Sequence, residues 1–291
     1  MRVSRYGLIR GMAAATGAAL LASCANALFG VANIPARFGD YERHADIPYA
    51  PGARHALDVY APDDARDVPV IVFWYGGSWE KGSKEMYRFV GAALANAGYV
   101  AVLPDYGVYP AVKFPDFMDD GARAVAWAAQ HAREYGGDPT RMFLIGHSAG
   151  AHMAALLALD ERYLRRANVD VKNVRGLIGL SGPYALRPTD APLNEIFASP
   201  YTPADWQAVH YVGAASPPAL LLHGAEDGVV WASHAEALAD AYKQAGASVE
   251  LHLYADRQHA DTVAALSVPA RGRLPVLEEI ESFVGLQGAP R

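Results

Sequence analysis

Residues 146–150 read Gly146-His147-Ser148-Ala149-Gly150, a serine between small flanking residues. The run Met142-Phe143-Leu144-Ile145 before it has the character of a buried strand, and residues 149–159 after it are rich in helix formers. G-x-S-x-G between a strand and a helix puts the serine on a sharp turn at the edge of a sheet. Gly146 and Gly150 supply the clearance that so tight a strand-to-helix junction needs. A serine hydroxyl alone is a weak nucleophile. It needs a base to take its proton and a carboxylate to orient that base. Both follow further along the chain. Asp227 lies in His223-Gly224-Ala225-Glu226-Asp227, just after the apolar run 219–222, and His259 lies in Arg257-Gln258-His259-Ala260-Asp261, just after the run 249–253. We read Ser148 as nucleophile, His259 as general base and acid, and Asp227 as the orienting carboxylate. Glu226 is the alternative acid. Asp256 and Asp261 stand too close in sequence to His259 to orient it.

Attack by a serine on an acyl carbon creates an oxyanion, which needs backbone N–H donors already aimed at it. Ala149, the residue after the nucleophile, is one expected donor. The run 70–74 leads into Tyr75-Gly76-Gly77-Ser78-Trp79, a glycine-rich loop in the place where further donors arise. Gly77 and Ser78 are the expected donors there; the alternative is an ordinary Gly-Gly turn. Trp79 and Tyr109 are candidate substrate-binding residues, with Phe197, Tyr201 and Trp206 as further aromatic wall, although Trp79 reads equally as core. His147 and His223 are expected to be structural, and Asp105 and Asp119 to organise hydrogen bonds. This chemistry calls for no metal and no organic cofactor.

Such residues must be held by a scaffold, and the rest of the chain supplies one. Short, continuously apolar runs at 70–73, 99–103, 142–145, 176–180, 219–222 and 249–253 read as strands buried on both faces. An alternating run at 55–60 fits an edge strand. Helical patterns at 84–97, 116–135, 149–159, 231–244 and 274–283 fall between or after them, several ending at glycine. Strands alternating with helices predict an α/β fold with a mostly parallel central sheet, helices on both faces, and strand carboxyl ends gathered on one side. The proline-rich stretch 184–217 breaks this rhythm and reads as a short cap within a single domain over 41–291. The chain has 291 residues, 52% of them hydrophobic, and a formal net charge of −6 without a basic run. A large core therefore forms without disulfides, and nucleic acid is not an expected partner. No short period repeats.

The amino terminus has another design. Arg2, Arg5 and Arg10 precede a charge-free stretch rich in Ala and Leu, the layout of an export signal. The chain's one cysteine, Cys24, stands in Leu21-Ala22-Ser23-Cys24. That run resembles the lipobox of bacterial lipoproteins, which implies a signal peptide over 1–23, lipid on Cys24, a tether over 24–40 and a protein anchored at the cell envelope. A plain signal peptide and an uncleaved membrane helix are the alternatives.

The folded part resembles the α/β-hydrolase superfamily, in particular its esterase/lipase branch with HGGxW or HGGG loops. That branch includes hormone-sensitive-lipase-like esterases, kynurenine formamidases and isoprenylcysteine methylesterase-like proteins. The matching residues run from about Asp46 to His259. They include Leu57-Asp58-Val59-Tyr60, the 75–79 loop, Pro104-Asp105-Tyr106, Phe114-Pro115, Tyr135-Gly136-Gly137-Asp138-Pro139, the elbow and the His223…Asp227 run. Two positions depart from the branch: Tyr75 stands where it usually has His, and Gly107 where it often has Arg. The resemblance implies a serine esterase acting on a small-molecule ester of small or medium acyl length. A formamide hydrolase is the second expectation, and a non-catalytic binding module on the same fold the third. Oligomeric state is left open.

Overall fold

The computed structural model describes residues 29–287. Eight strands form one sheet: β1 Tyr41–Pro48, β2 Ala56–Pro62, β3 Val68–Trp74, β4 Val100–Pro104, β5 Gly137–His147, β6 Val174–Leu180, β7 Ala219–Gly224 and β8 Val249–Tyr254. Their spatial order is β1-β2-β4-β3-β5-β6-β7-β8. The β1–β2 and β2–β4 pairs are antiparallel, and every pair from β4 through β3 to β8 is parallel. The chain steps from β3 outward to β4, then crosses back to β5 on the other side of β3. Crevices at such a reversal open beyond the strand carboxyl ends. Ser148 follows the carboxyl end of β5 and so stands at that point.

Side-chain alternation assigns the two faces. Phe73 meets Tyr87 (ring centroids 5.6 Å apart), just before the helix Arg88–Asn96, and Phe143 meets Phe283 of the helix Val276–Gln287 (6.2 Å). Ile71 and Phe143 are register partners, so these helices share a face. Trp74 points the other way, towards Gly121 of the helix Asp116–His131. The helix Ala149–Leu159 has no charged residue, and Met153 to Leu157 are fully buried. A helix apolar all round must be enclosed. It rests against β3, β5 and β6.

Three expectations change. The run 55–60 is not an edge: β2 is buried, and β1, which the sequence pattern did not reveal, lies outside it. The misleading signal was Asp58, which alternates like a solvent-facing residue yet is fully buried. The run 249–253 is not buried on both faces: β8 closes the other edge, and Glu250 faces solvent. Residues 29–38, expected as tether, lie against the domain. The Phe29 ring lies tilted against Tyr87 (5.0 Å), and the Asn33 amide donates to the carbonyls of Glu85 and Met86. Smaller shifts occur at helix ends. The first turn of 84–97 is a 3-10 turn, Lys84–Tyr87, and the 231–244 helix begins at Ser233.

Asp58 is tolerated inside because its charge is matched. Arg43 donates to its Oδ2 from Nε (2.9 Å) and Nη2 (2.6 Å), and the Asp46 N–H donates to Oδ1 (3.0 Å). Lys84 Nζ lies 2.9 Å from Oδ1, and also bridges Asp46 (2.5 Å) and Glu85 (2.8 Å). Removing one member of a buried ion pair leaves an uncompensated charge, at about 3–5 kcal/mol. Lys84→Met is therefore expected to lower the melting temperature by roughly 10 °C, read by calorimetry; an unchanged melt would show that the cluster adds nothing.

Candidate active site

The elbow is built from backbone contact. Ser148 has φ 55° and ψ −121°, an unfavourable conformation for a residue with a Cβ, between the last residue of β5 and the first of the helix Ala149–Leu159. A Cβ on Gly150 would lie 2.0 Å from the Trp74 carbonyl oxygen, and one on Gly146 2.2 Å from that of Gly150. No other residue fits at either place. The Ser148 N–H donates to Leu180 O of β6 (2.9 Å) and ties the strained turn to the next strand.

The three residues singled out by motif and chain order meet here. His259 Nε2 lies 2.8 Å from Ser148 Oγ, and His259 Nδ1 lies 2.7 Å from Asp227 Oδ2. A carboxylate on Nδ1 fixes the proton there, so Nε2 carries the lone pair that faces the serine hydroxyl. Asp227 is buried. Burial pushes its carboxyl pKa up, but the Val230 N–H and the His259 ring more than offset this, and the net shift is downward. The Val229 N–H (2.9 Å) and Val230 N–H (2.8 Å) both donate to its Oδ1. Glu226, the alternative acid, is exposed. Its N–H donates to Arg257 O, and the Ala225 N–H to Tyr254 O, so the acid loop is stitched to the histidine loop.

Two more histidines brace this arrangement. His147 donates from Nε2 to the His259 carbonyl (3.1 Å), and burial pushes its pKa down to about 3. His223 donates from Nε2 to Val230 O (2.8 Å), and burial lowers its pKa too. Both remain neutral near pH 7 and hold loops rather than protons. This agrees with their reading as structural residues.

The glycine-rich loop runs directly over Ser148: a Cβ on Gly76 would lie 2.9 Å from Ser148 Cβ. Ser78 and Trp79 follow at φ 56° and 58°, two successive left-handed residues. Glu80 and Lys81 both donate to Gly77 O, which folds the loop back on itself. Among the described residues, neither the Gly77 nor the Ser78 N–H donates to a backbone carbonyl. Ala149 opens its helix, where N–H groups have no intrahelical acceptor and the dipole favours negative charge.

Of the two departures from the branch, Tyr75 belongs to a buried network. Tyr75 is buried and stacks on Tyr106 (4.7 Å); its hydroxyl donates to Asp105 Oδ1 (2.8 Å), which also accepts the Lys84 N–H (2.9 Å). Arg54 donates to the Tyr106 carbonyl, the Tyr75 hydroxyl and the Gly82 carbonyl, each at 2.8 Å. One guanidinium thus ties both ends of the 75–82 loop to the loop after β4. A Cβ at 107 would lie 2.5 Å from Val112 Cγ2, and the Gly107 N–H donates to Asp120 Oδ2 (2.8 Å). Sequence reasoning missed Arg54, because nothing near it in the chain points to the site. Asp105 organises hydrogen bonds as expected, whereas Asp119 forms a surface pair with Arg166.

Trp79 is buried between the elbow helix and the cap. Its ring meets His152 (5.1 Å) and Phe197 (4.8 Å) edge to face, with Phe117, Phe114 and Trp206 continuing the cluster. The cap holds three one-turn segments, Leu193–Ile196, Pro203–Trp206 and Ala208–Tyr211, and is tied down where His152 donates to Trp206 O (2.7 Å). Tyr201 meets Phe114 at the rim. Tyr109 is half-buried, donates from its N–H to Trp79 O (2.8 Å) and hydrogen-bonds Glu195 of the cap. A cavity of about 550 Å³ lined by Val174, Arg165 and Pro217 opens at the amino end of β6, away from Ser148. Among the described residues no group of three or more His, Cys, Asp or Glu side chains could hold a metal ion.

Residues 57–242 match the BD-FAE family. The chain belongs to that family. Relatives by sequence include a probable isoprenylcysteine alpha-carbonyl methylesterase of Oryza sativa, 30% identical over 82% of this chain and 61% of its own length. Esterase LipQ of Mycobacterium tuberculosis is 30% identical over 88% and 66%. The chain spans about three fifths of the length of the curated relatives it matches. By structure it is similar to Thermogutta terrifontis esterase 2, with a TM-score of 0.72 and 26% identity over 87% of this chain and 97% of that one. That esterase is also known with butyrate and with propionate bound. These likenesses place the chain in the α/β-hydrolase fold, in its esterase branch.

The Arg54 clamp predicts a separable defect. In Arg54→Ala, the rate at which a fluorophosphonate modifies Ser148 is expected to fall by about 10- to 100-fold, as a loop displaced by an ångström would cause, while the protein stays folded. An unchanged rate would show that the loop holds its shape unaided.

Proposed function

We propose that this protein is a serine carboxylic-ester hydrolase that works through an acyl-enzyme on small or medium acyl esters. The observation that carries the proposal is His259 bridging Ser148 Oγ at 2.8 Å and Asp227 at 2.7 Å under a glycine-rich loop. His259 takes the Ser148 proton as Oγ attacks the ester carbon. Asp227 keeps Nδ1 protonated and stabilises the imidazolium. The N–H groups of Gly77, Ser78 and Ala149 receive the oxyanion in a site whose dipoles are fixed before reaction. His259 then gives its proton to the leaving alcohol, and a water attacks the acyl-serine by the same route reversed.

The esterase names of the relatives support this reading, as do the butyrate- and propionate-bound forms of the 26% identical esterase. The burial of Trp79 against Phe197 of the cap favours short acyl chains. A binding module would have no use for a strained serine hydrogen-bonded through a histidine to a buried carboxylate. Hydrolysis of p-nitrophenyl acetate, butyrate, octanoate and palmitate tests the assignment. Ser148→Ala is expected to lower kcat by at least about 10⁴-fold, and the shorter esters to be preferred. Activity that survives the substitution would end the proposal. Turnover of a formamide in preference to every ester would move it to amide chemistry.

We also propose that the protein is exported and anchored at the bacterial envelope through lipid on Cys24. Cys24 lies outside the described residues, within which no helix is long and apolar enough to cross a membrane. The support is the basic leader, the apolar run and Leu21-Ala22-Ser23-Cys24. Metabolic labelling with palmitate is expected to mark the native chain and not Cys24→Ser; label that persists in the variant would refute lipidation at that residue.

A further inference from the structure

Residues 29–38 are held to the domain by one side only. Phe29 lies against Tyr87 and Phe89, and the Asn33 side chain donates to Glu85 O and Met86 O and accepts the Phe89 N–H. The other side is apolar and open: Val31 is 54% exposed, Ile34 57% and Phe38 76%. Val268, 56% exposed, comes from a distant part of the chain and lines the same shallow depression as Phe38. Of the nine large apolar side chains exposed among the described residues, Val31, Ile34 and Phe38 fall within eight residues of chain, and Phe38 shares its depression with Val268. Arg37, Arg271 and Arg273 are exposed in the same two segments, although the chain as a whole carries −6. An apolar centre with a guanidinium rim is the arrangement that settles into the headgroup boundary of an anionic bilayer.

We infer that this face docks on a phospholipid surface containing anionic lipid. The position of the bilayer rests on the lipidation of Cys24 proposed above. Phe29 is five residues beyond Cys24, so even fully extended chain keeps it within about 18 Å of the lipidated residue. A domain so short of slack presents the face nearest its anchor to the membrane. Docking then fixes the orientation of the domain rather than leaving it to swing on its anchor. Because Val268 lies nine residues beyond His259 on the segment that leads away from the site, that orientation also sets how the crevice faces the bilayer.

The test uses vesicles of phosphatidylcholine with and without phosphatidylglycerol. A solvatochromic thiol probe is placed at Val268→Cys in the full chain, and at Val229→Cys, an exposed apolar residue beside Asp227, as control. On anionic vesicles the probe at 268 is expected to shift to the blue and be quenched by spin-labelled lipid, and the probe at 229 to stay as in water. The chain beginning at residue 25, which keeps every described residue, is expected to bind the anionic vesicles weakly. Phe38→Asp with Ile34→Asp should reduce that binding at least roughly tenfold, and added salt should weaken it. A vesicle-bound protein whose probe at 268 remains water-like would overturn the inference. So would a dimer in solution that Phe38→Asp dissociates, since the face would then join two copies. Binding by the chain from residue 25, together with no palmitate label on the native chain, would uphold the docking face and reject the anchor.

Discussion

Everything at this site depends on β5 becoming a helix within a single residue. The turn leaves Ser148 in a left-handed conformation that an ordinary residue avoids, at a cost of about 1–3 kcal/mol. It persists because its surroundings leave no alternative: the Gly150 backbone abuts the Trp74 carbonyl, Gly146 abuts Gly150, and the serine N–H is bonded to β6. The same approach of backbones brings the end of β3, and so the 75–82 loop, over the serine. Ser148 and the glycine-rich loop are thus placed by one packing contact, and neither could move without the other.

Around that contact, polar groups are buried in matched sets. Asp227 accepts two backbone N–H groups and an imidazole. His147 and His223 are kept neutral by burial; His147 donates to the His259 carbonyl, and His223 Nε2 lies between the Val230 carbonyl and Asp227 Oδ2 (3.2 Å). The antiparallel β1–β2 edge contributes more than its position suggests. Arg54 from its connecting loop holds both ends of the 75–82 loop, and Arg43 and Lys84 neutralise Asp58 below it. Buried charges unmatched in this way would be expensive in a low-dielectric interior. The edge hairpin is therefore part of the support of the site.

The chain by itself named the residues that could do chemistry and the order of its parts. G-x-S-x-G between an apolar run and a helix former, then an acid and a histidine each just after a strand, are local patterns, and the residues they named do meet. Local patterns also revealed the parallel strands, because strands covered on both faces are apolar throughout. Tertiary structure decided what depends on partners far along the chain. Asp58 alternates like a surface residue, and only Arg43 and Lys84 make it a core residue. Glu226 and Asp227 are neighbours in one loop, and only the folded loop, tied to the 254–257 backbone, buries Asp227 against His259 and leaves Glu226 exposed. Arg54 is 21 residues from Tyr75 and 28 from Gly82, and no spacing rule links them. Periodicity reports how often a side chain meets the core, whereas a charge inside the core is explained only by the charge that meets it.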